Sequence, residues 1–270
     1  MRSAERKVEL QAAASWHPRG MHFRRLTPDP AQVDLDGLLA ELRDELADRA
    51  PAGRPYTIAN FIASADGRAT LAGRSGPLGD DGDRAMFHGL REQVDAVLVG
   101  TGTLRAERYG RIIGNAARRE RRVARGASPE PLACVITRSG QLSAEIPMFD
   151  VPEATIVVFT SAQLDLSSHA AHIDVIRLDS AELTLTAALR RLREGYGVRL
   201  LLCEGGPTLF GGLLHERLVD ELFLTTAPKL AGGGTSPTIA SGAELAQPQG
   251  LALNWLLERH ASLYARYTIG

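Results

Sequence analysis

The sequence predicts an α/β fold: a central, mostly parallel β-sheet flanked by helices. Two observations support this prediction. Apolar runs of strand length alternate with segments whose apolar residues recur at helical spacing. In addition, two of the runs, at residues 96–99 and 200–203, lead directly into glycines and then into a predicted helix. The chain has 270 residues, of which 44% are hydrophobic, so it is long enough to bury a full core.

The individual elements follow from this periodicity. Residues 33–46 carry five leucines at helical spacing and predict one amphipathic helix. Three more helices are predicted at 83–93, 184–194 and 208–216. Strands are predicted at 56–63, 95–99, 132–137, 155–160, 174–177, 198–203, 220–227 and 262–269.

The composition and the predicted elements together divide the chain into three parts. Residues 1–30 are polar and interrupted by prolines, which predicts a flexible leader, and residues 31–54 form a helical extension. Residues 55–270 contain no repeat, long linker or low-complexity tract, so we expect one domain there. We read the first 25 residues as a leader and not as a signal peptide, because acidic residues interrupt them and they lack a continuous apolar core.

Composition argues against several classes of partner. The net charge of −1 disfavours a nucleic-acid or membrane-surface partner, and no apolar stretch reaches the roughly 18–20 residues of a membrane span. The two cysteines, Cys134 and Cys203, cannot build a disulfide framework, so a reducing cytoplasm is the expected setting. His169 and His172 lack a third ligand nearby, so we predict no metal site.

The two glycine turns predict a binding site for an anion. Glycine allows the backbone to approach a ligand closely or to adopt a positive φ, and a helix start offers unpaired N–H groups with the positive end of the helix dipole. One such turn is weak evidence. Two of them, about a hundred residues apart, suggest a dinucleotide site.

Further segments carry a family resemblance. They are the Ser64-x-Asp66-Gly67 turn, Arg84 with His88 and Arg91 on one helix face, residues 100–107, Glu204-Gly205-Gly206, and Asp220-Glu221 ahead of residues 227–232. In this order, they resemble the reductase domain of riboflavin biosynthesis over roughly residues 55–268. The resemblance implies a dihydrofolate reductase-like fold with antiparallel C-terminal strands, and commonly a homodimer. It also implies NADPH-dependent reduction of 5-amino-6-(5-phosphoribosylamino)uracil to its ribitylamino product. The Pro-Cys-x-x-Cys signature of the fused zinc deaminase is missing, so a stand-alone reductase is expected.

The resemblance also implies a cofactor site along the two glycine turns. The expected NADPH-binding residues are Ala63, Asp66, Gly100, Thr101, Gly102, Thr103, Thr137, Arg138, Ser139, Gly205, Gly206, Pro207, Thr208 and Leu209. Two hydroxyls and a guanidinium at residues 137–139 suit the 2′-phosphate of NADPH, although an ordinary hydroxyl-rich turn explains them equally well. Gly205-Gly206 has a second interpretation as a tight strand-to-helix turn.

For the substrate, Arg84 resembles the family's arginine that binds the ribose phosphate, although a lone helical arginine is more often solvated. The other expected substrate residues are Asn60, Ser64, Asp66 and Arg111. Asp66 has an alternative role as a turn cap, and Arg111 belongs to an arginine-rich segment that is typical of a solvated loop or helix.

Two carboxylates are the expected catalytic residues. Glu107 stands where the family usually has an aspartate, one methylene further from the backbone, and Arg108-Tyr109 replaces the family's Asn-Pro, so the nearby substrate loop must differ. Glu204 ends an apolar strand, where a charged residue is hard to explain as core.

Three hypotheses about function remain. The first is the riboflavin-pathway reductase. The second is a related NADPH reductase that acts on dihydrofolate or another pterin-like heterocycle, and the third is a catalytically silent nucleotide-binding module. A conventional Rossmann dehydrogenase fits less well, because the turn that begins at Gly100 lacks a third glycine and no acidic residue closes a second strand near the expected offset of about 20 residues.

Overall fold

The computed structural model describes residues 20–143 and 145–270. Their strands form one sheet of eleven strands, in the order β2-β1-β10-β11-β9-β3-β8-β4-β5-β6-β7. The strands are β1 (His22–Thr27), β2 (Ala31–Asp34), β3 (Tyr56–Ser64), β4 (Ala96–Gly100), β5 (Leu132–Thr137), β6 (Thr155–Thr160), β7 (His172–Arg177), β8 (Leu200–Cys203), β9 (Glu221–Ala227), β10 (Leu251–Arg259) and β11 (Ser262–Ile269).

The sheet changes character at β9. From β9 to β7 every neighbouring pair is parallel, whereas β9-β11, β11-β10, β10-β1 and β1-β2 are antiparallel. This arrangement confirms the predicted α/β class, with its mostly parallel sheet and antiparallel C-terminal strands.

Helices cover both faces of the sheet. They are α1 (Leu35–Asp48), α2 (Asp81–Gln93), α3 (Thr101–Ala106), α4 (Ala116–Ala124), α5 (Leu185–Tyr196) and α6 (Pro207–His215). Side chains of α1 and α2 belong to the core on one face, and those of α5 and α6 to the core on the other. Successive strand residues therefore alternate between two buried layers, which explains why the parallel strands are almost continuously apolar.

Local sequence explains where several helices begin and end. The Asp34 carboxylate accepts the Gly37 N–H at 2.9 Å and caps α1, and Thr184 caps α5 in the same way. Gly197 follows the last residue of α5 and ends the helix, and its φ of 68° is the left-handed conformation that glycine adopts at low cost.

The structure differs from the sequence prediction at the N-terminal side of the sheet. Residues 1–19 of the predicted leader lie outside the described residues, but residues 22–27 form β1, which pairs with β10 and buries Phe23. The reason is tertiary: a short, largely polar strand gains its stability from the neighbouring edge of the sheet. Strand β10 was also not predicted, and the arginine-rich segment contains helix α4.

Both cysteines lie in the core of the face covered by α5 and α6. Burial raises the pKa of the Cys203 thiol to about 12, and it raises the pKa of Cys134 as well, so both thiols stay protonated at neutral pH. Among the described residues, no helix is long and apolar enough to cross a membrane.

Candidate active site

A large open cleft lies at the carboxyl ends of the parallel strands β3, β4, β5 and β8. Its volume is about 1130 Å³, and residues from α2, α3 and α6 complete its walls. In open α/β sheets, ligands bind at this edge, because the strand ends and helix starts leave backbone groups unpaired there. The cleft is therefore the candidate active site.

The two glycine turns meet inside the cleft. A Cβ atom at Gly100 would lie 3.5 Å from the backbone nitrogen of Gly206, and a Cβ atom at Gly206 would lie 3.1 Å from Thr103 Oγ1. None of the four glycines of the two turns has a positive φ. Their role is therefore to let the two backbones lie close together, because they lack a side chain. Of the two properties expected of them, close approach and a positive φ, only the first is used.

The helices that follow these turns begin without a side-chain cap. Gly100 precedes α3 and Gly206 precedes α6, and neither helix start receives a capping hydrogen bond from a side chain. A Cβ atom at Gly102 would meet no atom within 4 Å. Pro207, the first residue of α6, has no backbone N–H. The groups free of side-chain caps at the wall of the cleft are therefore the first N–H groups of α3 and those of α6 from Thr208 onward.

Most of the residues singled out from the sequence lie together in this cleft. Its walls include Asn60, Arg84, Gly100, Thr101, Gly102, Thr103, Glu107, Arg111, Arg138, Glu204, Gly206, Pro207, Thr208 and Leu209. Six others are not among its lining residues: Ala63, Ser64, Asp66, Thr137, Ser139 and Gly205.

Asp66 joins two loops to each other. Its carboxylate accepts hydrogen bonds from the Ser64 hydroxyl at 2.5 Å and from the backbone N–H groups of Ala231 and Gly232 at 3.0 and 2.8 Å. These bonds, led by the one from Ser64, lower the pKa of Asp66 to about 2. Two of the segments that carry the resemblance therefore meet through this side chain, and the geometry favours the capping role that the sequence left open.

Glu204 belongs to a buried ion pair. Its two carboxylate oxygens accept Arg91 Nε at 2.6 Å and Arg91 Nη2 at 2.7 Å, and the Tyr109 hydroxyl donates to the second oxygen at 2.7 Å. Burial alone would lower the pKa of Arg91, but the Glu204 carboxylate outweighs it and the pKa is raised. Burial, reinforced by Glu204, raises the pKa of Tyr109. Because its acceptors are engaged, Glu204 holds Tyr109 and α2 in place.

The Tyr109 anchor shapes the loop that departs from the family pattern. Helix α3 ends at Ala106, and Arg108 adopts a φ of 47° before Tyr109 donates its backbone N–H to Leu104. Glu107 is exposed on the cleft wall, where Ser75 Oγ lies 3.3 Å from one of its oxygens. The Glu107 carboxylate is thus accessible from the cleft and contacts the loop opposite.

The arginines of the cleft fall into two kinds. Arg111 is paired with Glu130 at 3.3 Å and with Glu153 at 2.8 Å. Arg84 and Arg138, by contrast, have no acidic partner within 4 Å among residues 20–143 and 145–270. Unpaired guanidinium groups in a cleft suit phosphate groups, which they bind in a bidentate manner.

Asp83, in the first turn of α2, is a cleft residue that the sequence analysis missed as a site candidate. Burial raises its pKa from 3.8 to about 6; Asp80 adds to the increase, and the Thr225 hydroxyl, Arg84 and Lys229 oppose it. Because the raised pKa is caused by burial in the tertiary structure, the sequence around Asp83 gives no sign of it. A carboxyl group with a raised pKa in a cleft is typical of functional sites.

This pKa has a consequence for stability. The folded chain binds the Asp83 proton more tightly than the unfolded chain does, so the free energy of unfolding falls as the pH rises from about 4 to about 6. We expect Asp83→Asn to raise the free energy of unfolding at pH 7 by about 1–3 kcal/mol, and by much less at pH 4. Urea denaturation at both pH values checks this.

The control is Asp165→Asn. Hydrogen bonds from Ser167 lower the pKa of Asp165, so this variant gives no gain at pH 7. A gain for Asp83→Asn that is the same at pH 4 and at pH 7 would contradict the raised pKa of Asp83.

The chain is similar to known proteins over most of its length. The model of the RibD C-terminal domain matches residues 55–268. The 2,5-diamino-6-ribosylamino-4(3H)-pyrimidinone 5′-phosphate reductase of Archaeoglobus fulgidus is 30% identical over 192 residues, which cover 70% of this chain and 87% of that protein. The riboflavin biosynthesis protein RibD of Synechocystis is 28% identical, over 68% of this chain and 48% of its own length.

A solved structure agrees with these matches. The pyrimidine reductase-like protein of Corynebacterium diphtheriae superposes with a TM-score of 0.70 at 25% identity, and the match covers 84% of this chain and 98% of that protein. The predicted resemblance to riboflavin reductases is therefore confirmed, and with it the dihydrofolate reductase-like fold and the oxidoreductase class. The chain belongs to the RibD C-terminal domain family.

Proposed function

We propose that this chain reduces 5-amino-6-(5-phosphoribosylamino)uracil, or the 2-amino pyrimidinone named for its archaeal relatives, with NADPH. The observation that carries the proposal is the meeting of the two glycine turns in one cleft that also holds Arg84 and Glu107. One part of the cleft suits a dinucleotide, and the other suits a phosphorylated sugar.

The residues of the two turns fit a dinucleotide. A pyrophosphate can approach the start of α6 because Gly206 has no side chain and no side chain caps the helix. Thr101, Gly102 and Thr103 form the facing wall, where Gly102 leaves open space. The nicotinamide, when bound, supplies the hydride, and the chain positions it and excludes water.

At the substrate end, Arg84 binds the ribose phosphate and Asn60 offers its amide to the base or ribose. Reduction adds a hydride at ribosyl C1′ and a proton to the neighbouring heteroatom. Glu107, whose carboxylate is accessible from the cleft, orients the ribosyl group or handles that proton. Glu204 acts as a positioning residue, because Arg91 and Tyr109 occupy its oxygens. Asp66 and Ser64 do not line the cleft, and their hydrogen bond stabilises the turn that follows β3.

Oxidation of NADPH at 340 nm tests this function. The purified chain is offered the phosphoribosylaminouracil, its 2-amino counterpart and dihydrofolate in parallel. The proposal predicts turnover of a phosphoribosyl substrate at a rate well above that with dihydrofolate. Silence with both phosphoribosyl substrates would contradict it.

Arg138 is the proposed partner of the NADPH 2′-phosphate. It lines the cleft at the end of β5 without an acidic partner among the described residues, and its one side-chain hydrogen bond, to Ser180 O, is 3.5 Å long. We expect Arg138→Gln to weaken NADPH binding by about tenfold or more and to leave NADH binding within about twofold, because one charge-assisted contact is lost. Fluorescence titration with both nucleotides measures this, and an equal loss for both would contradict the assignment.

The second candidate function is reduction of dihydrofolate or a related pterin. The observation that favours it is the loop at residues 107–109, where the left-handed Arg108 replaces the family's Asn-Pro turn. This loop borders the substrate end of the cleft, so a change of substrate would originate there.

The homodimer expected from the resemblance is also part of this proposal. Leu251 and Leu253 on β10 are 51% and 45% exposed, and a second copy of the chain would cover them. We further propose that the whole protein is a cytoplasmic enzyme.

A further inference from the structure

Arg108 lines the cleft, but the proposed reaction gives it no role. The residue is exposed, and among residues 20–143 and 145–270 no carboxylate lies within 4 Å of its guanidinium. Arg84 and Arg138 are in the same state, and each is already the proposed partner of a phosphate group. Arg108 thus adds a further cation without a counter-charge to the wall of the cleft.

The end of helix α3 explains the backbone conformation of Arg108. The Tyr109 N–H donates to the Leu104 carbonyl at 3.2 Å, which closes the helix end and places Arg108 at the left-handed position, with a φ of 47°. Glycine takes this position at low cost, and the asparagine of the family pattern tolerates it better than most residues do. The turn alone therefore does not explain why an arginine stands here.

Arg217 provides an internal comparison. It follows α6 in the same arrangement, in which the Leu218 N–H donates to the Leu213 carbonyl at 2.9 Å and Arg217 has a φ of 53°. Arg217 is exposed as well, but it does not line the cleft. The two arginines share residue type, charge and helix-end geometry, and they differ in their access to the cleft.

The residues on either side of Arg108 fix the part of the cleft in which it lies. The preceding residue, Glu107, lies 3.3 Å from Ser75 Oγ, in the loop that leads into α2. The following residue, Tyr109, packs against the guanidinium of Arg91 on α2, whose central carbon lies 5.0 Å from the ring centre. Both neighbours contact the α2 side of the cleft, where the proposed substrate phosphate lies.

Helix α3 separates Arg108 from the proposed cofactor phosphates. The helix has six residues, so its two ends are about 9 Å apart. Its first end adjoins the meeting point of the glycine turns, and Arg108 lies beyond its last residue. Arg138, the proposed partner of the 2′-phosphate, follows β5, which lies on the side of β4 away from β8 and β3. Arg108 therefore belongs to the substrate end of the cleft.

We propose that Arg108 is a second arginine for the substrate phosphate and makes the cleft selective for a phosphorylated ligand over its dephosphorylated form. A phosphate monoester has three terminal oxygens, so it can accept hydrogen bonds from the guanidinium groups of Arg84 and Arg108 together. This inference rests on the proposed function. It adds a specificity-determining residue where the family pattern has an asparagine.

The shared chemistry, an oxyanion that pairs with arginine, occurs in two sources. One is the phosphate of a phosphoribosyl substrate, and the other is the carboxylates of a folate. Two unpaired guanidinium groups favour the phosphate, because it carries close to two negative charges at one centre and a carboxylate carries one.

The test uses two ligands that differ only in the phosphate: the phosphoribitylaminouracil that the proposed reaction forms, and its dephosphorylated form. Binding of each to the full chain is measured by calorimetry in the presence of NADP⁺. We expect the phosphorylated ligand to bind at least about 100-fold more tightly, as for two charge-assisted contacts. Arg108→Gly reduces this preference by about tenfold or more. It leaves the affinities for the dephosphorylated ligand and for NADPH within about twofold.

Arg217→Gly is the matched control, because it removes the same charge from the same helix-end position outside the cleft. It leaves the preference within about twofold. Glycine adopts the left-handed conformation at low cost, so neither variant lowers the midpoint of urea denaturation. Arg108→Asn, which restores the residue of the family pattern, reproduces the loss.

Three results would overturn this inference. An unchanged preference in Arg108→Gly, or an equal loss in Arg108→Gly and Arg217→Gly, would overturn the role of Arg108. Failure of both ligands to bind the unaltered chain would do the same. A loss of dihydrofolate affinity in Arg108→Gly as large as the loss for the phosphorylated ligand would overturn the choice of source.

The outcomes of the two proposals are distinguishable. A chain that prefers the phosphorylated ligand through Arg108 but oxidises no NADPH with either phosphoribosyl substrate contradicts the proposed reaction and leaves the role of Arg108 standing. If Arg108→Gly turned over a phosphoribosyl substrate as fast as the unaltered chain at substrate concentrations below KM, the reaction would be supported and the role of Arg108 overturned.

Discussion

Glu204→Gln is expected to lower the free energy of unfolding by about 3 kcal/mol. The side chains of Glu204 and Arg91 are only 1% and 7% exposed, so the change leaves the Arg91 guanidinium buried without its counter-charge. A neutral amide also presents an N–H donor where two donors already converge, from Arg91 and Tyr109. Urea denaturation followed by circular dichroism measures the loss.

The control is Asp48→Asn, which removes an exposed partner of Arg199. The Asp48 and Arg199 side chains are 74% and 48% exposed, so the loss is expected to be below about 1 kcal/mol. If Glu204→Gln were as mild as Asp48→Asn, the Arg91 pair would contribute no more than a surface ion pair. The anchoring of the loop through Tyr109 would then need another explanation.

Gly206→Val is expected to weaken NADPH binding by about a hundredfold or more. A Cβ atom at this position already lies 3.1 Å from Thr103 Oγ1, and the two γ-methyl groups of valine extend further into the space between the glycine turns. The variant fills the place where the backbone approaches the pyrophosphate, so the loss falls on the cofactor. Fluorescence titration with NADPH measures the affinity.

Gly53→Val provides the comparison. A Cβ atom at Gly53 would meet no atom within 4 Å, and the residue does not line the cleft, so NADPH affinity is expected to stay within about twofold. An unchanged affinity in Gly206→Val would show that the meeting point of the two turns does not hold the cofactor.

The parallel half of the sheet could be predicted from sequence because its strands are buried on both faces. Their continuous apolar runs distinguish them from the helices, whose apolar residues are spaced for one face. Strands at the other edge gave weaker signals. Strand β1 is largely polar and depends on pairing with β10, and β10 exposes several residues at its start, so neither strand is stabilised by its own residues alone.

The candidate site was predicted only in part, for a related reason. The glycine turns were visible because strand, glycine and helix start are contiguous in the chain. The hydrogen bonds of Glu204 could not be predicted in this way. The sequence marked Glu204 as an unusual charge at a strand end, but its partners Arg91 and Tyr109 are 113 and 95 residues away. Asp83 gave no signal, since its raised pKa arises from burial against residues distant in sequence.

Transfer of deuterium from the cofactor tests the central claim most directly. The chain is incubated with the phosphoribosyl pyrimidine and with NADPH carrying deuterium at nicotinamide C4, in separate reactions for the two faces of the ring. The account predicts one deuterium at C1′ of the ribityl product from one of the two labelled cofactors, as measured by mass spectrometry and NMR. Product that forms without the label from either cofactor, or no product at all, would contradict it.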